Sequence, residues 1–402
     1  MTNHIPAIQD ALYMAGLDGW LFYDFRGSDP LAARILRLDP SRHTTRRWYY
    51  LIPAQRSPIK ILHRIEPHSL DVLPGDTRLY LSWQEQHDKL REALASLKEK
   101  EDRPKVSMQY SPMNAIPYIS RVDAGTIELV RSFSVEVVTS ADLVQRFEAI
   151  WDADQYTSHC YAAAALREIV DETFAHIRKG IRNGENLSEY SLQQFILSQI
   201  ASRGMHTYAP PIVAVNAHAA DPHYSPPKEE SSEVYRGDLV LIDLWAKLIA
   251  PGSVYGDITW TGFIGEKVPQ RQSEVFRIVA TARDAAINYL KQEVAAGRFP
   301  RGGEVDDVCR AVITKAGYGD RFIHRTGHSI GQEVHGNGAN IDNLETQDQR
   351  HLLPQTCFSI EPGIYLPGDF GIRSEVDVYL TEREAIVTGL PIQTEIVPIL
   401  AS

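Results

Sequence analysis

The spacing of apolar positions changes near residue 150. In the first 150 residues, short apolar runs alternate with segments of helical spacing. This spacing predicts helices over residues 5–15, 84–100 and 113–122, and strands over residues 20–23, 48–53, 59–65, 106–110 and 126–130. The runs at 48–53 and 59–65 flank a Pro-containing turn and predict a hairpin. We therefore expect a small α/β domain over residues 1–150.

From residue 151 onward, long helical patterns are followed by apolar, β-rich runs. The predicted helices cover residues 152–178, 188–202, 270–295 and 305–315. The predicted strands cover residues 211–215, 239–248, 258–264, 356–360, 371–380 and 384–388. Because helices and strands follow one another in blocks, we expect an α+β domain over residues 151–402.

The charge balance narrows the classes of partner. Lys and Arg number 41 against 52 Asp and Glu, so the formal net charge is −11. An acidic chain repels phosphate backbones, which argues against nucleic acid as the main partner. Arg42, Arg46 and Arg47 stand beside the aromatic run 48–50, and we interpret them as the solvated end of the predicted hairpin.

Cysteine usage and the first residues indicate the compartment. Cys160, Cys309 and Cys357 are scattered and form no C-x-x-C pair. This pattern excludes a disulfide framework and a zinc finger, and it fits a reducing compartment. The N-terminus shows no basic segment followed by an apolar one, and no apolar run approaches the roughly 18 residues of a membrane span. We expect a cytoplasmic protein that does not enter the membrane.

Asp243 and Asp257 are candidate metal ligands. Asp243 interrupts the apolar run 239–245, where an ionised carboxylate is unfavourable unless a cation or hydrogen bonds compensate it. Asp257 follows after a turn at 250–252, so the two carboxylates can face each other across an antiparallel hairpin. Like charges at that distance repel, and a shared metal relieves the repulsion. The alternative is a structural hydrogen bonder at Asp243 and a turn residue at Asp257.

A glycine-rich segment carries two candidate histidines. His328 and His335 stand seven residues apart within residues 327–335. Glycines let a backbone approach a ligand closely, so the segment is compatible with a binding site. An exposed loop or a pair of core histidines explains the same pattern.

Candidate carboxylates recur near the end of the chain. Glu361 ends an apolar run and precedes a Pro-Gly pair, which suits either a ligand or a turn cap. Within the predicted strand 371–380, Arg373, Glu375 and Asp377 share one face. By itself that alternation is typical of a solvated strand face.

In chain order these residues form the series Asp, Asp, His, Glu, Glu, with a second His seven residues after the first. This series resembles the pita-bread metallopeptidase family, whose members include methionine aminopeptidase, aminopeptidase P, prolidase and creatinase. The segment 216–224, which ends in His223 and Tyr224, is similar to the family segment that delivers a catalytic His just before Tyr. The earlier domain, with its opening at residues 17–21, resembles the N-terminal domain of the aminopeptidase P, prolidase and creatinase branch.

The resemblance implies a set of metal ligands. Asp243 resembles the ligand of one metal ion, and Asp257 and Glu375 resemble the carboxylates that bridge two ions. His328 and Glu361 resemble ligands of the second ion. Four carboxylates and one neutral histidine balance the charge of two divalent cations, and such oxygen-rich donors suit Mn²⁺, Co²⁺ or Fe²⁺ as well as Zn²⁺.

The resemblance also implies residues that act on the substrate. His223 and His335 look like family histidines that contact substrate and help to stabilise the transition state, and Arg373 matches an arginine that supports the site. Two metal ions can share a hydroxide, lower its pKa towards about 7 and polarise the scissile carbonyl. Glu375 or Glu361 is then placed to accept a proton.

Two departures from the family pattern concern the same hairpin. Thirteen residues separate Asp243 from Asp257, which is more than the usual family spacing, and we place the excess in a longer turn around residues 250–252. Relatives often have Arg where this chain has Trp260. The second departure bears on substrate preference rather than on metal binding.

The implied activity is hydrolysis of the peptide bond before proline. The N-terminal domain argues against methionine aminopeptidase, which lacks it. Prolidase cleaves Xaa-Pro dipeptides and aminopeptidase P cleaves longer peptides; the sequence leaves both open, and we favour the dipeptidase. Small peptides are the expected substrates, and a homodimer is expected by resemblance.

Two other classes are compatible with parts of the sequence. Residues 327–331 fit the G-x-S-x-G pattern of a nucleophile elbow with Ser329, although the preceding residues 318–326 are polar rather than an apolar strand. A metal-free, creatinase-like hydrolase or an inactive binding relative keeps the fold without the metal. Inhibition by a chelator but not by a serine-directed phosphonate distinguishes a metallopeptidase from a serine hydrolase. Metal analysis of the purified protein distinguishes a metallopeptidase from a metal-free relative.

Overall fold

The computed structural model describes residues 4–39, 41, 44–97 and 103–401. The chain forms two compact units, Met1–Glu148 and Ala149–Ser402. None of the helices in the described parts of the chain combines the length and the hydrophobicity that a membrane span requires. Arg42 and the last residues of the predicted helix 84–100 lie outside the described residues.

The N-terminal unit is built on a six-stranded mixed sheet. Its strands are β1 (Gly19–Asp24), β2 (Trp48–Pro53), β3 (Ile59–His63), β4 (Asp76–Tyr80), β5 (Lys105–Met108) and β6 (Glu136–Thr139). Its helices are α1 (Ile5–Met14), α2 (Pro30–Ile35), α3 (Trp83–Ala95), α4 (Ala124–Ser132) and α5 (Ala141–Val144). The strand order is β4-β3-β2-β1-β5-β6. The antiparallel pair β2 and β3 confirms the predicted hairpin.

Helices cover both faces of this sheet. Trp20 and Phe22 of β1 belong to an apolar cluster with α1, α2 and α5, while Leu21 and Tyr23 belong to one with α3 and α4. Burial on both faces explains why β1 and β2 appear as continuous apolar runs. The aromatic run 48–50 is also buried, so its rings do not form an exposed stacking surface.

Two predicted elements of this unit are wrong. Residues 113–122 form no α-helix: Met113 has a φ of 53°, and Pro117 lacks the backbone donor that a helix interior needs. Residues 126–130 lie in α4 rather than in a strand. Asp123 caps this helix by accepting the backbone N–H of Thr126 at 2.9 Å. The cap outweighs the strand preference of the β-branched residues that follow it.

The C-terminal unit combines long helices with short strands. Its helices are α6 (Ala153–Asn183), α7 (Glu189–Ser202), α8 (Gln270–Ala295) and α9 (Gly302–Lys315). Its strands are β7 (Met205–His206), β8 (Ile212–Val215), β9 (Leu239–Leu248), β10 (Gly256–Phe263), β11 (Ser329–Ile330), β12 (Cys357–Ile360), β13 (Gly363–Leu366), β14 (Phe370–Arg373), β15 (Val376–Leu380), β16 (Ala385–Val387) and β17 (Val397–Pro398). Gly184, with a φ of 71°, ends α6, and Ser188 caps α7.

Each pair of helices covers its own group of strands. α6 and α7 pack on β8, β9 and β10 through one apolar cluster, and α8 and α9 pack on β12, β14 and β15 through another. One sheet has the order β17-β10-β9-β7, with β8 also paired to β9. A second sheet has the order β11-β12-β15-β16, and β13 pairs with β14. This segregation of helices and strands confirms the predicted α+β class.

The prediction of one strand over residues 371–380 is wrong. The chain leaves β14 at Arg373 and enters β15 at Val376. β14 pairs with β13, whereas β15 pairs with β12 and β16. Ser374 and Glu375 therefore form a link between two sheets, and a single strand face does not relate Arg373 to Glu375.

Candidate active site

A cavity of about 420 Å³ in the C-terminal unit collects the candidate residues. They are supplied by the β9–β10 hairpin, by loops and by the ends of strands. The rest of the lining is mostly aromatic and apolar, with Ser225, His324, Arg325 and Glu345 as the polar exceptions. All the side chains that the sequence analysis proposed as ligands or substrate contacts line it: His223, Asp243, Asp257, His328, His335, Glu361, Arg373 and Glu375.

The β9–β10 hairpin places Asp243 and Asp257 on one face. Across the ladder Asp243 pairs with Thr259, and Asp257 pairs with Trp245. The two carboxylates are thus diagonal neighbours and not direct partners, which corrects the expectation from the sequence. The additional residues of the hairpin lie in the turn 249–255, beyond both strands. The longer spacing therefore leaves the pairing intact.

Trp260 lies on the opposite face of β10. It is 8% exposed and packs in the apolar cluster of α6 and α7. The guanidinium of Arg167 lies over its ring, 3.7 Å from the centroid. Within the described chain, the cavity lining does not include Trp260. This departure from the family pattern therefore does not alter the cavity wall.

His328 precedes β11 and directs its ring at two carboxylates. Its Nε2 is 3.6 Å from Oδ2 of Asp257 and 3.4 Å from Oε1 of Glu361. Its Nδ1 lies 3.3 Å from the carbonyl oxygen of Ser329. Because a carbonyl oxygen only accepts, Nδ1 carries the proton and Nε2 presents a lone pair. Burial lowers the pKa of His328 well below its usual value, so the ring is a neutral donor of the kind that binds metals.

Glu361 and Glu375 approach His328 from the ends of two different strands. Glu361 follows β12, and its Oε1 accepts the hydroxyl of Ser359 at 3.1 Å. Glu375 lies in the link between β14 and β15, and its Oε2 accepts the hydroxyl of Thr259 at 2.7 Å. The link brings Glu375 onto the β9–β10 hairpin, because its backbone N–H also donates to the carbonyl of Thr259.

Burial raises the pKa of all four carboxyl groups, and neighbouring carboxylates add to the effect at Asp257, Glu361 and Glu375. Burial raises the pKa of Asp257 well above its usual value, and the charges of Glu375 and Asp243 add to the effect. Burial and the charges of Glu361 and Asp243 likewise raise the pKa of Glu375. Burial raises the pKa of Glu361 to about 7, and burial raises that of Asp243 against the opposing charge of Arg373. Carboxylates so arranged stay ionised together only if positive charge is close.

The donor atoms fit divalent cations. One donor atom from each of Asp257, His328 and Glu375 lies within 4.8 Å of the other two. Oδ1 of Asp243 and Oδ1 of Asp257 are buried and accept no hydrogen bond from the described residues, although buried polar atoms are nearly always paired. Carboxylate oxygens with one imidazole nitrogen suit Mn²⁺, Co²⁺, Fe²⁺ or Zn²⁺. Such cations compensate both the unpaired oxygens and the excess negative charge.

Arg373 connects the carboxylates to a buried polar network. Its guanidinium donates to Oδ2 of Asp243 at 2.5 Å, to Oγ1 of Thr259 at 3.0 Å and to the hydroxyl oxygen of Tyr365 at 3.0 Å. The hydroxyl of Tyr365 therefore donates its own proton to Nε2 of His324, 2.7 Å away. Burial and the charge of Arg373 lower the pKa of His324 to about 3. His324 is thus a neutral link in this network.

His223 and His335 are exposed residues of the cavity wall. The ring of His335 meets the ring of His328 edge to face, with 4.4 Å between centroids. Although His335 is exposed on one side, the protein around its ring displaces water, and this desolvation together with the charge of Arg325 lowers its pKa to about 4. A neutral imidazole offers one donor and one acceptor. His335 can therefore hydrogen-bond a molecule that enters the cavity.

A buried glutamate holds the loop that carries His223. Glu189, the first residue of α7, is fully buried. Its carboxylate accepts from the hydroxyl of Tyr224 at 2.6 Å, from Nδ1 of His218 at 2.9 Å and from the backbone N–H of Val215 at 2.8 Å. The ring of His218 also stacks on Tyr224, with 4.4 Å between centroids. Glu189 therefore fixes the residue next to His223.

Several residues of the cavity were not predicted from the sequence. His324 stands four residues before His328 and three before the glycine-rich segment 327–335, and that proximity could have indicated it. Trp245 stands two residues after Asp243, so the period of a strand places both on one face. Nothing in the sequence points to Tyr365, because its hydroxyl reaches the network only through tertiary packing.

The alternative nucleophile Ser329 is buried away from the cavity. It is 2% exposed, and its hydroxyl oxygen accepts the backbone N–H of Gly338 at 3.1 Å. Its own backbone N–H donates to the side chain of Asn340. Among the described residues that line the cavity, Ser329 does not occur. The geometry therefore disfavours a serine hydrolase.

Comparisons with known proteins identify the family. The sequence profile of metallopeptidase family M24 matches residues 159–382, more than half of the chain. An Xaa-Pro dipeptidase of Lactobacillus delbrueckii subsp. lactis is 34% identical over 202 residues, which cover 50% of this chain and 49% of that protein. A probable dipeptidase PepE of Mycobacterium bovis is 30% identical over 274 residues, which cover 68% of this chain and 67% of that protein.

A solved structure shows the same architecture. The crystal structure of dipeptidase PepE from Mycobacterium ulcerans aligns with a TM-score of 0.69 and 24% identity over 98% of this chain and 96% of that chain. The chain matches about half the length of the Lactobacillus relative. The chain belongs to metallopeptidase family M24, and its C-terminal unit has the pita-bread fold.

Proposed function

We propose that this chain is a metal-dependent peptidase that hydrolyses the bond between a residue and a following proline. The observation that carries the proposal is the cluster of four carboxylates near His328, three of them buried and that of Glu361 half-buried, with two oxygens that no described residue pairs. The cluster forms one side of a cavity whose size suits a small ligand. The Xaa-Pro dipeptidase among the relatives supports the substrate class.

The proposed cofactors are two divalent cations. Asp243 is the proposed ligand of one ion, His328 and Glu361 of the other, and Asp257 and Glu375 of both. Divalent cations at such a site polarise the scissile carbonyl and activate the attacking water. The donor set leaves Mn²⁺, Co²⁺, Fe²⁺ and Zn²⁺ as candidates.

Side chains around the cluster position the peptide and move protons. His223 and His335 are proposed to contact the substrate, since an imidazole can donate a hydrogen bond to the developing oxyanion or a proton to the leaving nitrogen. Glu375 or Glu361 is proposed to accept the proton of the attacking water. Arg373 keeps Asp243 in place through their 2.5 Å contact.

A dipeptide is the favoured substrate. Proline after the scissile bond makes a tertiary amide, so the substrate offers no N–H at that position. Arg325 lines the cavity, and its guanidinium suits recognition of the C-terminal carboxylate that a dipeptide presents. The dipeptidases among the relatives point in the same direction.

Three further features are part of the proposal. The unit Met1–Glu148 serves as a prolidase-type N-terminal domain, with residues 1–150 and 151–402 as the domain limits expected from the sequence. The protein is a homodimer in the cytoplasm. Light scattering on the purified protein tests the dimer, and cell fractionation tests the location.

Metal analysis combined with peptide hydrolysis tests the central proposal. Protein supplied with Mn²⁺, Co²⁺, Zn²⁺ or Fe²⁺ should bind about two ions per chain and lose activity on chelation. Ala-Pro and Ala-Pro-Ala should be cleaved faster than Ala-Ala and Ala-Ala-Ala. Faster cleavage of Ala-Pro than of Ala-Pro-Ala selects the dipeptidase.

The same experiment separates the alternatives. Equal rates on all four peptides reject proline specificity and leave a general metallopeptidase. Hydrolysis that survives complete removal of metal selects the metal-free, creatinase-like class. Inhibition by a serine-directed phosphonate but not by a chelator favours a serine hydrolase with Ser329 as the nucleophile.

A further inference from the structure

Trp245 stands beside the carboxylates on the same face of the β9–β10 hairpin. It follows Asp243 by two residues along β9, and its cross-strand partner is Asp257. All three side chains line the cavity. The indole therefore lies next to the place where the carboxylate cluster would receive a scissile carbonyl.

The indole belongs to an apolar wall. The ring of Tyr208 faces it, with 6.1 Å between centroids and 36° between planes, and Ile212 and Val334 line the same cavity. Trp245 also packs on the buried cluster that contains Val334 and Tyr255. The wall is thus supported from behind, and Tyr208 at its edge is 63% exposed.

The cavity therefore has walls of two chemical kinds. The carboxylates, histidines and Arg373 form the charged wall, and Trp245 with Tyr208 belongs to the apolar one. In a peptide whose carbonyl meets the carboxylates, the side chain of the same residue begins only two bonds away. An apolar side chain gains free energy when it leaves water for such a wall, whereas a charged side chain loses hydration there.

We propose that Trp245 is a specificity-determining residue that selects peptides with an apolar or aromatic side chain before the scissile bond. The proposal rests on the proposed peptidase function and narrows its substrates to peptides of the form apolar residue-Pro. The indole supplies the contact surface, and Tyr208 extends it towards the exposed side of the cavity.

A panel of dipeptides measured on the metal-supplied full chain tests the proposal. The panel contains Gly-Pro, Ala-Pro, Leu-Pro, Phe-Pro and Asp-Pro, and kcat/KM is determined for each. The unmodified protein should favour Leu-Pro and Phe-Pro over Gly-Pro by about tenfold or more, as hydrophobic pockets discriminate. Trp245→Ala should lower this preference by about tenfold with unchanged metal content. Trp245→Phe, which keeps an aromatic ring, should retain most of it.

Trp260→Leu is the matched control, since Trp260 lies on the other face of the same hairpin. It should leave the preference as it is in the unmodified protein. The proposal is overturned if the unmodified protein shows no preference for apolar residues, or if Trp245→Ala keeps that preference. If no proline dipeptide is cleaved, the proposed function fails instead. In that case the affinities of Phe-Pro and Gly-Pro are measured by calorimetry for the unmodified protein and for Trp245→Ala. The ratio of the two affinities should favour Phe-Pro in the unmodified protein and fall in Trp245→Ala.

Discussion

The β9–β10 hairpin and the loop 216–224 line the same cavity but are held there in opposite ways. The hairpin is a regular ladder whose buried Asp243 and Asp257 each keep an oxygen that no described residue pairs. The loop is irregular and places an exposed His223, yet the buried Glu189 behind it accepts three hydrogen bonds. Satisfied hydrogen bonds hold the loop, whereas the electrostatics of the hairpin remain unfavourable without cations.

This difference separates binding from positioning. Crowded carboxylates with raised pKa values form a site whose free energy improves when cations arrive. The hydrogen bonds to Glu189 hold the loop 216–224 without a cation. The loop can therefore keep the imidazole of His223 in a fixed place. Variants of the hairpin carboxylates should therefore lose metal, whereas variants of the loop should lose turnover and keep the metal.

The largest effect is expected from Asp257→Asn. The substitution removes one negative charge and a carboxylate oxygen from the centre of the cluster while preserving the shape of the side chain. Metal content should fall and hydrolysis of Ala-Pro should be abolished, as measured by elemental analysis and by release of proline. Full metal and full rate in this variant would show that Asp257 is not a ligand.

The next largest effect distinguishes the histidines. His223→Ala and His335→Ala should each keep near-normal metal content and lose 10²–10³ in kcat, about 3–4 kcal/mol, as is typical when a transition-state donor is removed. His328→Ala should lose metal together with turnover, because its Nε2 faces Asp257 and Glu361. Turnover and metal content are measured on the same preparations.

His176→Ala is the control for these variants. His176 lies in α6, where its ring stacks on Phe195 and does not line the cavity. It should match the unmodified protein in both measurements. The assignment of roles is contradicted if His335→Ala depletes the metal as severely as His328→Ala. It is contradicted equally if His223→Ala retains full turnover.

The smallest effect tests the support of the loop. Tyr224→Phe removes a hydrogen bond of 2.6 Å to Glu189, and such a bond contributes about 0.5–1.5 kcal/mol. We expect kcat to fall by about two- to tenfold in this variant and by more in Glu189→Ala, with metal content unchanged. Glu185→Gln changes an exposed carboxylate near the same helix and should have no effect. Loss of metal in Glu189→Ala would show that metal binding by the carboxylates depends on the position of the loop 216–224.

Elements with a strong local signal could be predicted from the sequence. An apolar run predicts β9, and the helical period of apolar residues predicts α8, both with the bounds that the structure has. Burial of a strand on both faces produces the first pattern, and burial of one stripe of a helix produces the second. The strand predicted at 126–130 fails because a single cap at Asp123 decides for a helix. The strand predicted at 371–380 fails because its two halves pair with different partners, which no local pattern records.

The sequence by itself determined the chemistry available to this protein: which acids, histidines and glycines occur, in what order, and on which periodic elements. Those properties depend on neighbours along the chain. Only the tertiary structure decided that Thr259 faces Asp243, that Glu189 supports the loop of His223, and that Tyr365 joins the network of Arg373. The hydrogen bond between Thr259 and Glu375 joins positions 116 residues apart. Contacts of that kind follow from the packing of strands and helices against one another, which local spacing does not encode.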